Sequence, residues 1–384
     1  MKVLMIAHSC QSRTEGQPKA VELARLGVDL RVIVPRRWKH YGRWRFPDRP
    51  VENAGFELVP LSVQLAWCGP AQSYLHFYPG LGRVLREFSP DILDLWEEPW
   101  GAVSLQASSL REQVCPGAAL VSETEQNIDK TLPPPFEPMR SQVLSRADWV
   151  VGRNQEALDI VARKGFKGPS RVVPNAVDAD TFVVLSPDKR AGVRRELGWS
   201  DDEFVAGYIG RLVEEKGLAD FVEAIALSQP RVRAVLVGQG PFEAALREQI
   251  ARLGLEQRVE ILPARPPEQL APLMGALDVL VLPSRTTARW KEQFGRVIIE
   301  AGACGVPVIG SDSGAIPDVV GQAGRVFPEG QAPELARHLD ELSTHPEEAR
   351  ALGQIGRQVV EERYTWARVA EAMLAIYREL RPNA

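Results

Sequence analysis

PSRTTARWKEQFGRVIIEAGACGVPVIGSDSGAIP, residues 283–317, is the stretch that decides the fold. An apolar run, Val279 to Leu282, leads into it with the character of a buried strand. The polar and basic loop that follows carries Glu292, and seven residues separate it from Glu300. From Phe294 to Cys304 the apolar residues recur as on a buried helix, so Glu292 falls at a loop end and Glu300 about two turns further on. The amides of Gly295, Arg296 and Val297 then stand at a helix start, where the first turn lacks intrahelical acceptors and the dipole favours negative charge. Such a site suits an anionic ligand. Read without wider context, Glu292 is a helix cap and Glu300 faces solvent.

Outward from this stretch, the 384 residues exceed one ordinary core and point to two domains, with 45% hydrophobic and 25% charged residues as in globular chains. The net charge of -4 gives no general attraction to nucleic acid. Cys10, Cys68, Cys115 and Cys304 lie far apart without paired spacing, so neither a zinc site nor a disulfide framework is expected, and a reducing cytoplasm fits. The N-terminal MKVLMIAHSCQSRTEGQ has an apolar run of about six residues, too short for a signal sequence or a membrane span. It reads as a first buried strand.

Short β-branched runs alternate with amphipathic stretches along the whole chain, the pattern of a parallel sheet covered by helices. Strands are expected at Val3 to Ala7, Leu30 to Val34, Phe56 to Leu61, Ile92 to Leu95, Ala119 to Val121, Trp149 to Val151 and Arg171 to Val173. Helices fall between them, around Pro18 to Leu26, Ser73 to Phe88, Ala102 to Gln113, Pro138 to Ser145 and Gln155 to Arg163. The second half repeats the theme with strands at Val205 to Ile209, Ala234 to Val237, Val259 to Leu262, Val279 to Leu282 and Val306 to Ile309. Two doubly wound α/β domains in tandem account for this, joined near Val173-Pro174-Asn175-Ala176-Val177-Asp178. Pro174 restricts Val173 to an extended backbone, and Asn175 and Asp178 favour a turn. A last amphipathic helix covers Tyr364 to Leu380, with Thr365 as its N-cap.

Gly210-Arg211-Leu212-Val213-Glu214-Glu215-Lys216-Gly217 follows the strand ending at Ile209, where an open α/β sheet presents loops to ligand. Arg211 can fork onto two phosphate oxygens and Lys216 adds a point charge, enough to neutralise a diphosphate. Taken alone, Glu215-Lys216-Gly217 is equally a solvated turn. Gly238-Gln239-Gly240-Pro241 makes the tight junction of a strand with a helix, either as part of a nucleotide crevice or as a structural turn. Gly314 stands in a comparable loop.

The paired glutamates, the cation pair and VPNAVDADTF together resemble the retaining glycosyltransferases of family four, also called glycosyl transferases group 1, whose fold is GT-B. The resemblance implies two Rossmann-like domains with an interdomain cleft, and a C-terminal helix that crosses back to the first domain. The N-terminal, acceptor-side domain would then be residues 1–176 plus 364–384, and the nucleotide-sugar domain residues 177–363. It assigns Glu292 and the adjoining amides of Phe294, Gly295, Arg296 and Val297 to the donor sugar, Glu300 to the ribose, and Arg211 and Lys216, in the loop opened by Gly210, to the donor diphosphate, while Gly238 either lines the nucleotide crevice or makes a structural turn. It further implies retention of configuration, with the leaving phosphate assisting and Glu292 orienting the sugar. The donor is a substrate, UDP- or GDP-linked, and neither a cofactor nor a metal is expected, since two cations can take the place of a divalent ion.

The chain departs from the family at several points. Ala176 stands where the family has glycine, and Pro263-Ala264-Arg265 lacks the glycine usual near the base. Where relatives carry a double glycine after the first strand, Ser9 to Gln17 has only Gly16, which implies either a less intimate backbone approach to the donor or a shifted contact from Gly16. Where many relatives carry a histidine, this chain has Ser122-Glu123-Thr124-Glu125-Gln126-Asn127, which gives that place to Glu125. Glu97 and Glu98 either line the acceptor side or form a capped, salt-bridged loop. His8 is a cleft residue or a hydrogen-bonded loop histidine.

The segment Arg36 to Arg45, RRWKHYGRWR, mixes cations with aromatics after a strand. One basic loop without a nucleic-acid-binding fold does not make a nucleic-acid site. It suits an acceptor loop, peripheral contact with an anionic membrane at its cytoplasmic face, or a solvated loop packed on its own domain. The expected function is transfer of a sugar to a glycan, a lipid-linked sugar or a small molecule. A nucleotide-sugar epimerase of similar fold or a noncatalytic sugar-nucleotide-binding protein are the rivals.

Overall fold

The runs Val279-Leu280-Val281-Leu282 and Ile92-Leu93-Asp94-Leu95 are buried at every position, because each lies in a parallel strand of a helix-covered sheet. In the computed structural model, which describes residues 1–40, 43–68 and 71–382, the chain divides into two compact units. They are Met1–Pro174 with Trp366–Ala384, and Asn175–Thr365.

The first unit opens with β1 (Lys2–Ile6), α1 (Gln17–Arg25), β2 (Asp29–Pro35), β3 (Trp38–His40), β4 (Arg43–Arg45) and β5 (Glu57–Leu61). It continues through α2 (Gln72–Leu75), α3 (Leu81–Phe88), β6 (Ile92–Leu95), α4 (Ala102–Val114) and β7 (Ala119–Thr124). Helix α5 (Phe136–Arg146), β8 (Trp149–Gly152), α6 (Gln155–Arg163) and β9 (Ser170–Val172) complete this run. The seven-stranded parallel sheet has the order β5-β2-β1-β6-β7-β8-β9.

The second unit runs α7 (Pro187–Glu196), β10 (Phe204–Ile209), α8 (Leu218–Leu227), β11 (Val232–Val237), α9 (Glu243–Leu253) and β12 (Val259–Leu262). Then come α10 (Pro267–Ala276), β13 (Val279–Leu282), α11 (Arg296–Ala303), β14 (Val308–Ser311), α12 (Ile316–Val320), β15 (Gly324–Phe327), α13 (Ala332–Thr344) and α14 (Pro346–Val359). Its six strands are all parallel, in the order β12-β11-β10-β13-β14-β15. One apolar cluster, including Tyr208, Phe221, Leu280, Ile299, Phe327 and Leu339, fills both faces of this sheet. The last helix, α15 (Trp366–Leu380), belongs to the first unit, where it packs on α1 and its buried Tyr377 donates a 2.6 Å hydrogen bond to Asp94 of β6.

Several elements differ from the sequence expectation for local reasons. The helix expected over Ser73 to Phe88 is two helices, since Pro79 restricts Tyr78 to an extended backbone and the chain restarts at Gly80. The strand expected from Val306 begins at Val308, after Pro307. The edge strand β15 lacks the continuous apolar run of its neighbours and was not expected. Within the basic segment Arg36 to Arg45, β3 and β4 pair antiparallel, with Trp38 opposite Arg45; Tyr41 and Gly42 lie outside the described residues.

The helix expected from Phe294 begins two residues later, because Gly295 stands at its N-cap in the left-handed conformation, φ 78° and ψ 59°. A Cβ there would sit 2.9 Å from Ile298 Cδ1 and 3.0 Å from Leu282 Cδ2. Gly295→Ala is therefore expected to destabilise the fold by about 1–2 kcal/mol, read as a lower urea midpoint at unchanged slope. An unchanged midpoint would show that this turn tolerates a side chain.

Candidate active site

In the second unit the strand order turns back between β10 and β13: β11 and β12 lie to one side, β14 and β15 to the other. Loops leaving the carboxyl ends of β10 and β13 therefore part to opposite faces, and ligands of open α/β sheets bind in the crevice this leaves. Lys216 arrives there after β10 and Glu292 after β13. Their charged atoms meet, with Lys216 Nζ 2.5 Å from Glu292 Oε2. Ser284, fully buried at the end of β13, donates to the same oxygen at 3.1 Å, and Lys216 Nζ stands 4.7 Å from the centre of the Trp290 ring.

The surrounding loops hold this pair in place. Arg285 forks onto Asp220 of α8, with its Nε 2.6 Å from Oδ2, and its own amide donates to Glu215 O at 2.8 Å. That ties the loop after β13 to the loop after β10. From the loop after β14, the Ala315 amide donates to Glu292 O at 3.1 Å, and Gly314 lies against that same carbonyl. Glu292 is consequently 8% exposed, a carboxylate fixed by three loops and a cation.

Gly210 donates to Val237 O at 3.0 Å, and Leu212 to Gln239 O at 3.0 Å, which joins the loops after β10 and β11 and sets Gly238 beside Gly210. Arg211 follows Gly210 and is exposed; among the described residues its guanidinium has no hydrogen-bond partner. Tyr208, a buried residue of β10 that sequence reasoning missed, donates from its hydroxyl to Arg211 O at 2.8 Å. Burial raises its phenol, Glu292 and Glu215 add to the rise, and Arg211 opposes it, so the hydroxyl lies within the field of all three charges.

The amides of Gly295, Arg296 and Val297 donate to no acceptor among the described residues, leaving a donor set at the start of α11. Glu300 stands in the second turn of that helix, half-buried, with its carboxyl raised by burial and lowered in part by Arg296. Phe294, whose amide the resemblance assigns to the donor, is 4% exposed, and its ring meets Tyr364 edge-on at 5.8 Å. An apolar ring ahead of a helix is drawn into the core, so only its backbone can serve a ligand.

Gly16 lies in the first unit. It caps α1, and a Cβ there would fall 2.5 Å from Cys10 N and 2.6 Å from Ser9 O, so its missing side chain makes room for the chain's own backbone. Glu125, 39% exposed on its side chain, pairs with Arg153 at 3.3 Å. Arg153 also pairs with buried Glu123, which Lys19 reaches at 2.5 Å. Among the described residues no group of three His, Cys, Asp or Glu is arranged to hold a metal ion. No helix there is long and apolar enough to cross a membrane.

Glu98 accepts from Thr124 Oγ1 at 2.7 Å and from the Glu125 amide at 2.8 Å, yet burial pushes its carboxyl up to about 8. Because that value stands above the ordinary 4.5, the folded state holds the proton more tightly, and stability falls as pH rises from about 4.5 to about 8. Glu98→Gln, neutral throughout, is expected to melt higher than the parent at pH 8 and to lose that advantage by pH 5. Parallel melting curves across that range would reject the assignment.

These features define an α/β class with two doubly wound sheets, the second carrying the Lys216–Glu292 pair at its switch point. The chain matches the family described as glycosyl transferases group 1 over residues 189–359. It is 33% identical over 248 residues to D-inositol 3-phosphate glycosyltransferase of Segniliparus rotundus, covering 62% of this chain and 53% of that protein. It is 30% identical over 281 residues to alpha-maltose-1-phosphate synthase of Mycolicibacterium smegmatis, covering 64% of this chain and 70% of the relative. The match thus spans about half the length of the first relative and more of the second. The crystal structure of Anabaena HepE with UDP and glucose superposes with a TM-score of 0.72 at 20% identity, over 99% of this chain and all of HepE, a likeness of fold. The chain belongs to the glycosyl transferases group 1 family, and its fold is GT-B.

Proposed function

We propose that the protein moves a sugar from a nucleotide-diphosphate sugar to a hydroxyl acceptor, with retention of configuration and without a metal ion. The observation that carries this reading is the contact of Lys216 with Glu292 at the switch point of the second sheet. A donor diphosphate drawn to Lys216, Arg211 and the free amides of α11 would find its developing charge stabilised by groups already in position. Glu292, fixed by Ser284 and the loop after β14, orients the sugar, and Glu300 takes the ribose hydroxyls. The acceptor is a glycan, a lipid-linked sugar or a small molecule; the name of the inositol-phosphate relative makes a cyclitol one class to try.

The test is to offer a panel of UDP- and GDP-sugars to the full chain and follow protection from thermal unfolding and the release of nucleotide. A ligand that binds only the native state raises its stability. Protection by one sugar nucleotide, with nucleotide released, supports the reading. Conversion of the sugar without release would make the protein an epimerase, and protection without either reaction a binding protein. The cations of the segment Arg36 to Arg45, Arg37 over Trp44 at 4.8 Å among them, suit peripheral contact with an anionic membrane. Flotation with anionic vesicles and none with neutral ones is the expected result; equal behaviour would reject it.

A further inference from the structure

The parallel strands of the second unit all start along one edge of their sheet and end along the other. Lys216 and Glu292 follow strand ends. At the opposite edge, Phe204 opens β10, Leu277 and Asp278 precede β13, and Val306 and Pro307 precede β14; these residues line a cavity of about 550 Å³. That is room for a small organic molecule, well apart from the Lys216–Glu292 pair.

Small residues leave this space. Gly275 of α10 and Gly305 after α11 line it, with Ala191 of α7 and Ala349 of α14. A Cβ on Gly275 would lie 2.8 Å from Leu185 Cγ, and one on Gly305 3.1 Å from Val184 Cγ2, so both glycines let the Val184-Leu185 segment close in as one wall. Val184 nevertheless stays exposed, an apolar surface that a ligand in the cavity would help to cover.

The charged lining is unequal. Arg190, Arg194 and Arg350 stand with Asp201 and Asp278, which leaves one positive charge over. Arg194 is buried as part of the wall: its Nη1 donates to Asp278 Oδ2 at 3.0 Å, and its Nη2 to the carbonyls of Ser200 and Glu203 at 2.8 and 2.7 Å. Arg190 engages only Nη2, on Asp278 Oδ1 at 2.6 Å and on two carbonyls. Arg350 engages only Nε, on Pro346 O at 3.2 Å. Among the described residues the other nitrogens of these two guanidiniums have no hydrogen-bond partner. Open guanidinium forks beside an apolar hollow match a carboxylate on a hydrocarbon or aromatic body, because a planar carboxylate accepts two parallel N–H bonds. A phosphate dianion would bring more charge than this lining balances.

We propose that the cavity at the strand starts of the second sheet binds a small amphipathic carboxylate, with its head on Arg350 and Arg190 and its apolar body against Val184, Leu277 and Pro307. This ligand is not the sugar donor, and the site does not depend on the glycosyl-transfer reading.

The test is calorimetric titration of the full chain with octanoate, octanol and octyl phosphate. Octanoate should bind about 10-fold more tightly than octanol, the effect of a hydrogen-bonded charge in a partly open site, and more tightly than octyl phosphate. In Arg350→Gln, at an exposed position of α14, octanoate should weaken about 10-fold while octanol keeps its affinity. Ala191→Trp fills the hollow and should abolish octanoate binding, with a cooperative melt showing that the variant is folded. The Arg350→Gln titration decides the matter should the filled variant not fold. No octanoate binding to the parent, equal affinity for octanol, or octanoate affinity unchanged in Arg350→Gln overturns the proposal. Tighter binding of octyl phosphate overturns the ligand class, and parental octanoate affinity in a folded Ala191→Trp chain overturns the place.

Discussion

Lys216→Ala is expected to weaken binding of nucleoside diphosphate by about 10- to 100-fold, the effect of losing one hydrogen bond to a charged group in a partly enclosed site. The ammonium leaves the turn after β10 on a short tether: Gly217 packs against the Pro283 carbonyl, and Arg285 ties the two loops together. Calorimetry with UDP and GDP measures the loss. The substitution also takes away the ammonium 2.5 Å from the nearly buried Glu292 carboxylate, so the variant should melt lower as well. The double variant Lys216→Ala with Glu292→Gln separates the two effects. It removes the stranded charge and should recover much of the melting temperature without recovering affinity. An affinity equal to the parent in Lys216→Ala would remove the diphosphate from this place.

Glu292→Gln should act in the opposite sense on binding and far more strongly on turnover. Removing the carboxylate frees Lys216 from its 2.5 Å partner, so nucleoside diphosphate should bind as well as before or more tightly. The sugar, however, loses the group that fixes its orientation, and kcat is expected to fall about 100-fold, the usual consequence of misplacing a reacting centre by about 1 Å. Near-normal turnover with the true donor would defeat the orienting role. The pair of variants is informative because a merely structural ion pair would lose stability in both and show no such split between affinity and rate.

The elements that carry Lys216 and Glu292 were legible in the sequence because their signals are local. A four-residue apolar strand, a glutamate in the loop after it and a helix start all lie within one stretch, and pairing in register only has to bring β10 beside β13. Glycines and cations after β10 fell at the strand end for the same reason. What the sequence did not display is contact between distant residues. Ser284 and Tyr208 look like ordinary strand-end residues until the loops fold over them. His8 and Glu97 could be singled out one at a time, but only the β1–β6 pairing makes them partners. The sequence equally hides that the Phe294 ring packs against Tyr364 and that Gly16 lies against the backbone of Ser9 and Cys10.

The return of α15 to the first unit has a consequence for biosynthesis. Buried Lys19 lies on α1, the helix that α15 covers, and Asp94 of β6 receives the Tyr377 hydroxyl. A nascent chain emerging from the ribosome therefore has all of Asn175–Thr365 available before the segment that seals the earlier residues exists. The part translated second can finish folding first, while the part translated first waits, with a flank uncovered, for the closing fifteen-residue helix.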